Sequence, residues 1–140
     1  MYRIRFHGRG GQGIKTAARI LGDALFSAGF EVQDAPRYGA ERRGAPIFAY
    51  VRADKKKINE RGVIHSPDIA VVSDETLLSI AKESVIEGLT ENSILLVITL
   101  KQPEKINSLL NIKSKILTIP DNLLPGNKIE QRQHDLSIIC

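Results

Sequence analysis

The spacing of apolar positions changes along the chain, and each change marks an element. Arg3-Ile4-Arg5-Phe6-His7 reads as a short strand, and a glycine-rich turn, Gly8 to Gly13, follows it. Apolar residues then recur at Ile14, Ala17, Ala18, Leu21, Leu25 and Ala28, the spacing of one helical face, with Gly29 as the stop. Glu31 to Asp34 reads as a second strand, halted by Pro36, and Ile47 to Ala53 as a third beyond a polar, basic loop. Asp54 to Ser66 is charged and reads as a loop. Asp68 to Asp74 is a strand bounded by acids, and Glu75 to Glu87 a helix with Leu77, Leu78, Ala81 and Val85 on one face, closed by Gly88. Ile94 to Leu100 is nearly all apolar, as in a strand buried on both faces. Pro103 can open a helix through Leu110, and Lys115 to Ile119 reads as the last strand. Strands alternating with helices predict one α/β domain, a mostly parallel sheet flanked by helices. Residues 1–120 are expected to form that domain, and 121–140 a short or truncated tail.

Composition narrows the class of protein. With 140 residues, 42% hydrophobic and 26% charged, the chain is an ordinary globular length and balance. No apolar run is long enough for a membrane span and no secretory leader is visible, so neither a membrane role nor export is expected. The only cysteine, Cys140, rules out a disulfide framework, a cysteine zinc site and a self-contained iron–sulfur cluster, and fits the cytoplasm. His7, His65 and His134 show no metal-ligand spacing, so no metal site is expected. His7, beside the glycine turn, reads as a hydrogen-bonded structural residue.

The net charge of +4 hides an asymmetry, because nine of the ten arginines and all seven Phe and Tyr residues precede residue 66. Guanidinium groups suit phosphates and carboxylates. They cluster beside the glycine turn and not on a recognition helix, so nucleic acid is not the expected partner.

Gly8-Arg9-Gly10-Gly11-Gln12-Gly13 follows a strand and opens a helix, a place where backbone N–H groups and a helix dipole favour an anion. Gly8, Gly10 and Gly13 match a dinucleotide fingerprint, with Asp34 as the ribose acid, and this gives one alternative: a stand-alone dinucleotide-binding domain. As a Walker A loop the spacing fails, because Ile14 replaces the lysine and Lys15-Thr16 comes one residue late, about 100° around the helix. The loop Arg37-Tyr38-Gly39-Ala40-Glu41-Arg42-Arg43-Gly44-Ala45-Pro46 carries three arginines and a tyrosine between two strands. In a doubly wound sheet it would face the glycine turn at one edge. Together they suit an extended phosphate-bearing ligand or an acidic protein surface, the latter making the chain a non-catalytic assembly module.

These two motifs, followed by Pro67-Asp68-Ile69-Ala70-Val71-Val72, resemble the gamma subunit of pyruvate:ferredoxin oxidoreductase and related 2-oxoacid:ferredoxin oxidoreductases, over about residues 3–100. The Glu41-Arg42-Arg43-Gly44-Ala45-Pro46 form looks more like the pyruvate or branched-chain members than the 2-oxoglutarate ones. The resemblance implies a Rossmann-like fold. It also implies a reaction in which a 2-oxoacid and coenzyme A give acyl-CoA, carbon dioxide and electrons for ferredoxin. Thiamine diphosphate and iron–sulfur clusters would sit on alpha-, beta- and delta-type partner subunits, so this chain would not be catalytic alone. Its expected share is coenzyme A binding at the shared interface, through Gly8, Arg9, Gly10, Gly11, Gln12, Gly13, Thr16, Arg37, Tyr38, Arg42 and Arg43. No catalytic residue is assigned.

Overall fold

In the computed structural model, residues 1–36 and 44–123 are described. The order is β1 (Tyr2–Arg9), α1 (Ile14–Ser27), β2 (Glu31–Pro36), β3 (Pro46–Asp54), β4 (Ile69–Val72), α2 (Leu77–Ile80), α3 (Lys82–Ile86), β5 (Ile94–Ile98), α4 (Pro103–Leu110) and β6 (Lys115–Ile119), then a 3-10 turn at Asp121–Leu123. This is the alternation that the apolar spacing predicts. The expected second helix is broken in two at Ala81, whose φ of −132° is not helical. The break lets Leu77 and Leu78 on one side and Val85 on the other reach the same core.

The six strands form one sheet in the order β2-β3-β1-β4-β5-β6. The ladders β1–β4, β4–β5 and β5–β6 are parallel, whereas β3 runs antiparallel to both β1 and β2. Only nine residues separate Pro36 from Pro46, too few for a crossover of about a dozen, so β3 returns beside β2 and wedges between it and β1.

Strand addition runs one way from β1 to β2 and the other way from β1 to β6, so right-handed connections place the helices on opposite faces. On one face α1 packs Ile14 and Ala18 onto Ile4, Phe6, Ala49 and Val51. On the other, α2 to α4 cover Ala70, Val72, Leu95 and Val97. The α1 face over β5 and β6 belongs to neither cluster: Ile94, Leu96 and Ile98 are half-buried, and Leu117 is 41% exposed.

The second face of β1 and β3 carries Arg5, His7, Tyr50 and Arg52, all buried. A segment without regular structure covers it, inserting Ile58 and Ile64. Arg5 fastens this cover. Its Nε donates to His7 Nε2 at 2.9 Å, Nη1 to the carbonyls of Ile64 and His65 at 3.0 and 3.4 Å, and Nη2 to those of Val85 and Glu87 at 3.1 and 2.7 Å.

Candidate functional site

The direction of strand addition reverses between β1 and β4, and the crevice beyond the carboxyl ends of such strands is where open α/β sheets take ligands. The chain fills this place with the Gly10–Gly13 turn on one side and Ser73 to Thr76 on the other. Ser73 N–H donates to the His7 carbonyl at 2.9 Å, joining the two strand ends.

Gly8 holds its position by close packing. A Cβ there would lie 2.2 Å from Ile14 Cγ1 and 2.7 Å from Ser73 Oγ, so nothing larger fits unless its neighbours move. Gly11 and Gly13 have φ of 88° and 73°, values that favour glycine. Gly13 is the N-cap of α1, which has neither a side-chain cap nor an acid in its first turn. Its first-turn amides have no partner within the helix and carry the positive end of its dipole.

Arg9 is tied down on three sides. Nε donates to Asp74 Oδ2 at 3.1 Å, Nη1 to the Gly44 carbonyl at 2.8 Å and Nη2 to Thr76 Oγ1 at 2.8 Å. Gln12 is engaged as fully: Oε1 accepts from Arg9 N–H at 2.8 Å and Ser73 Oγ at 3.0 Å, while Nε2 donates to Asp74 Oδ2 at 3.0 Å. Burial raises the Asp74 carboxyl, but hydrogen bonds from Thr76 and Gln12 and the charge of Arg9 outweigh it and hold the group below its ordinary value. Asp74 is therefore an anion that neutralises Arg9. With Gly10 N–H given to the Ala45 carbonyl and Gln12 N–H to the Arg9 carbonyl, the positive character of the turn is that of the start of α1.

The end of the arginine-rich loop lies on the turn. Gly10 N–H donates to the Ala45 carbonyl at 2.9 Å, and Gly44 N–H returns the bond to the Gly10 carbonyl at 3.1 Å. β2 is antiparallel to β3 and so parallel to β1, which brings Pro36, where the loop departs, to the same sheet edge. Arg37, Tyr38, Arg42 and Arg43 lie outside the described residues. Thr16 is exposed on the first turns of α1. It lines a cleft of about 660 Å³ between α1 and β2, with Lys15, Arg19 and Asp23 on the helix wall and Val32 and Asp34 on the strand.

Two expectations shift. Asp34 pairs with Val51, which pairs with Ile4. It is thus mid-strand and two strands from β1, about 10 Å away, and not at the end of a neighbouring strand as the dinucleotide reading needs. Several of the described early arginines are engaged within the chain: Arg3 pairs with Glu60, buried Arg52 donates to Gln33 and the Gly62 carbonyl, and Arg61, though exposed, donates to the Ile58 carbonyl. His7 is buried and accepts a hydrogen bond from Arg5, as a structural histidine would. Burial, with the Arg5 charge adding, pushes it down to about 3, so the ring is neutral with Nε2 accepting. Ser73, Asp74 and Thr76 are the site residues that the motifs pass over. Their signal was position, at the end of the strand that pairs with β1.

Comparison with known proteins places this geometry. The family model described as pyruvate ferredoxin/flavodoxin oxidoreductase matches residues 3–131. The pyruvate synthase subunit PorC of Thermotoga maritima is 45% identical over 118 residues, covering 84% of this chain and 60% of that one. The pyruvate/ketoisovalerate oxidoreductases common subunit gamma of Pyrococcus furiosus is 46% identical over 121 residues, 86% of this chain and 64% of its own. The crystal structure of the Thermotoga maritima pyruvate oxidoreductase subunit PORC superimposes with a TM-score of 0.71 at 42% identity, over 84% of this chain and 61% of that one. The chain thus spans about three fifths of the length of the curated relatives it matches. With the matched stretch running through the glycine turn, the crevice and the sheet alike, the chain belongs to the pyruvate ferredoxin/flavodoxin oxidoreductase family.

Proposed function

We propose that this chain is the gamma subunit of a coenzyme A-dependent 2-oxoacid:ferredoxin oxidoreductase, with pyruvate as the 2-oxoacid, and that it forms part of the coenzyme A interface. The complex would cleave the bond between the carboxylate and the keto carbon, release carbon dioxide, pass the electron pair to ferredoxin and transfer the acyl group to the coenzyme A thiol. The chain's own donors do not fit the redox groups. It has one cysteine where a cluster needs several, and no group of three or more His, Cys, Asp or Glu side chains suits a metal among the described residues. In this reading the clusters and thiamine diphosphate would sit on alpha-, beta- and delta-type partners. Among the described residues no helix is long and apolar enough to cross a membrane, and cytoplasmic residence is part of the reading.

The observation that carries the site is the pair of hydrogen bonds between Gly10 and the Gly44-Ala45 end of the loop. Those bonds support bringing Arg37, Tyr38, Arg42 and Arg43 to the rim where Gly8 to Gly13 and Thr16 lie, within the domain of residues 1–120. The turn's amides would orient a phosphate of coenzyme A, and the loop arginines would supply the charge that Arg9 gives to Asp74.

Steady-state kinetics of the assembled complex test the reading. Arg42→Ala and Arg43→Ala should each raise KM for coenzyme A about tenfold, the loss of a charge-assisted hydrogen bond of roughly 1.5 kcal/mol, and leave KM for pyruvate unchanged. Equal effects on both substrates, or none, would overturn it. Weakened assembly with coenzyme A binding intact would make the loop a docking element.

A further inference from the structure

We propose that Asp74 is a positioning residue of this site, acting through Arg9 and Gln12 to hold the Gly10–Gly13 turn in the geometry that an anionic ligand group needs. The inference rests on the reading above in taking that ligand to be coenzyme A.

The carboxylate has two faces with different partners. Oδ1 accepts from Thr76 N–H at 2.9 Å and Thr76 Oγ1 at 2.5 Å, bonds internal to the β4–α2 turn. Oδ2 accepts from Arg9 Nε at 3.1 Å and Gln12 Nε2 at 3.0 Å, both of which belong to the β1–α1 turn. The Asp74 side chain is only 18% exposed, so its hydrogen bonds to four donors are partly shielded from water. The bonds that radiate from Arg9 and Gln12 reach every wall of the crevice: the Gly44 carbonyl at the foot of β3, Thr76 Oγ1 and Ser73 Oγ. Gln12 also accepts from Arg9 N–H, the last amide before the glycines. Removing the Oδ2 acceptor leaves two donors of the turn facing each other without the group that draws them together.

Two features separate this role from simpler ones. An asparagine can keep its oxygen toward Thr76 only by turning its amide toward Arg9 and Gln12, where donor would face donor. Turned the other way, its oxygen faces Arg9 and Gln12 without the charge and its amide meets Thr76 N–H, so in either orientation Asp74→Asn weakens the link between the two turns. The sign of the effect is also informative. Asp74 is negative beside a site for a negative ligand, so a residue acting only through its field would weaken binding, and its neutralisation would tighten it. A positioning residue does the reverse.

The test is steady-state kinetics of the assembled complex carrying Asp74→Asn, Gln12→Met and the pair. Each single change should raise KM for coenzyme A about tenfold with kcat and KM for pyruvate within about twofold, as for one lost charge-assisted hydrogen bond. The pair should match the singles, because both act through one link. An unchanged or lowered KM in Asp74→Asn, or effects that multiply in the pair, overturns the proposal. Should Asp74→Asn fail to fold, hydrogen exchange at the Gly10–Gly13 amides of Gln12→Met decides it, faster exchange supporting the link to Asp74 and unchanged exchange refuting it. If the wild-type complex shows no coenzyme A-dependent turnover, the reading of the ligand fails separately. Hydrogen exchange then decides the positioning role on the chain itself: faster exchange at the Gly10–Gly13 amides in Asp74→Asn supports it, and unchanged exchange refutes it.

Discussion

Gly8→Ala separates a glycine required by packing from one required by a ligand. Gly8 is buried at the end of β1 and is not among the glycines at positive φ, so alanine is free to adopt its backbone conformation. The added methyl would sit 2.2 and 2.5 Å from Ile14 Cγ1 and Cδ1 and 2.7 Å from Ser73 Oγ, and Ile14 is itself 3% exposed in the α1 core. The hydroxyl can rotate away; the isoleucine at the start of α1 cannot without lifting the helix. Overpacking of this kind costs about 1–3 kcal/mol, set against a gain of about 0.4–1 kcal/mol from stiffening the unfolded chain. The net prediction is a loss of about 1–2 kcal/mol, read as a lower urea midpoint of the full chain with an unchanged slope. Ile14→Ala alone should lose about 2–5 kcal/mol through its cavity. Because the new methyl occupies part of the space that Ile14 vacates, the double variant should be more stable than the sum of the singles by at least about 1 kcal/mol. Additive losses, or a Gly8→Ala chain as stable as wild type, would refute the packing account.

The neutral, buried His7 makes stability depend on pH. Its folded value, about 3, lies below the unfolded 6.5, so the unfolded chain binds the extra proton and stability falls as pH drops from 6.5 toward 3. The slope approaches 1.4 kcal/mol per unit. His7→Gln should be less stable at pH 7 yet lose stability less steeply between pH 6 and 4.5, and parallel curves from urea titrations would contradict this. Along β5, Leu95 is fully buried while its neighbour Leu96, on the opposite face, is half-buried. Leu95→Ala should therefore cost about 2–5 kcal/mol and Leu96→Ala less than half as much, and equal losses on unfolding would contradict the description of that face.

Much of the fold is legible in the chain because the strands and helices are short, regularly spaced and punctuated by glycine and proline. The insertion of β3 is legible only in hindsight, from the nine residues between Pro36 and Pro46 that preclude a crossover. The roles of the arginines were not. Arg3, Arg5 and His7 share a face with Arg52, and polar residues on one side of a strand read as a wetted surface. Here a segment without regular structure lays Ile58 and Ile64 over that surface, and its carbonyls, which no periodicity announces, accept hydrogen bonds from the guanidinium groups. Among the described residues Arg5 and Arg52 are thus internal scaffolding, and less of the basic first half is left for a ligand than the count of charges suggests. Asp74 went unassigned for a related reason: β4 comes some sixty residues after β1, and only their pairing brings its end beside the glycine turn.

The central claim, that the glycine turn and the arginine-rich loop form one rim for the phosphates of coenzyme A, is tested most directly by the two Michaelis constants of an assembled complex lacking both Arg42 and Arg43. A rise in the constant for coenzyme A of tenfold or more, with that for the 2-oxoacid unmoved, is the predicted result. Constants that move together, or that do not move, would contradict it.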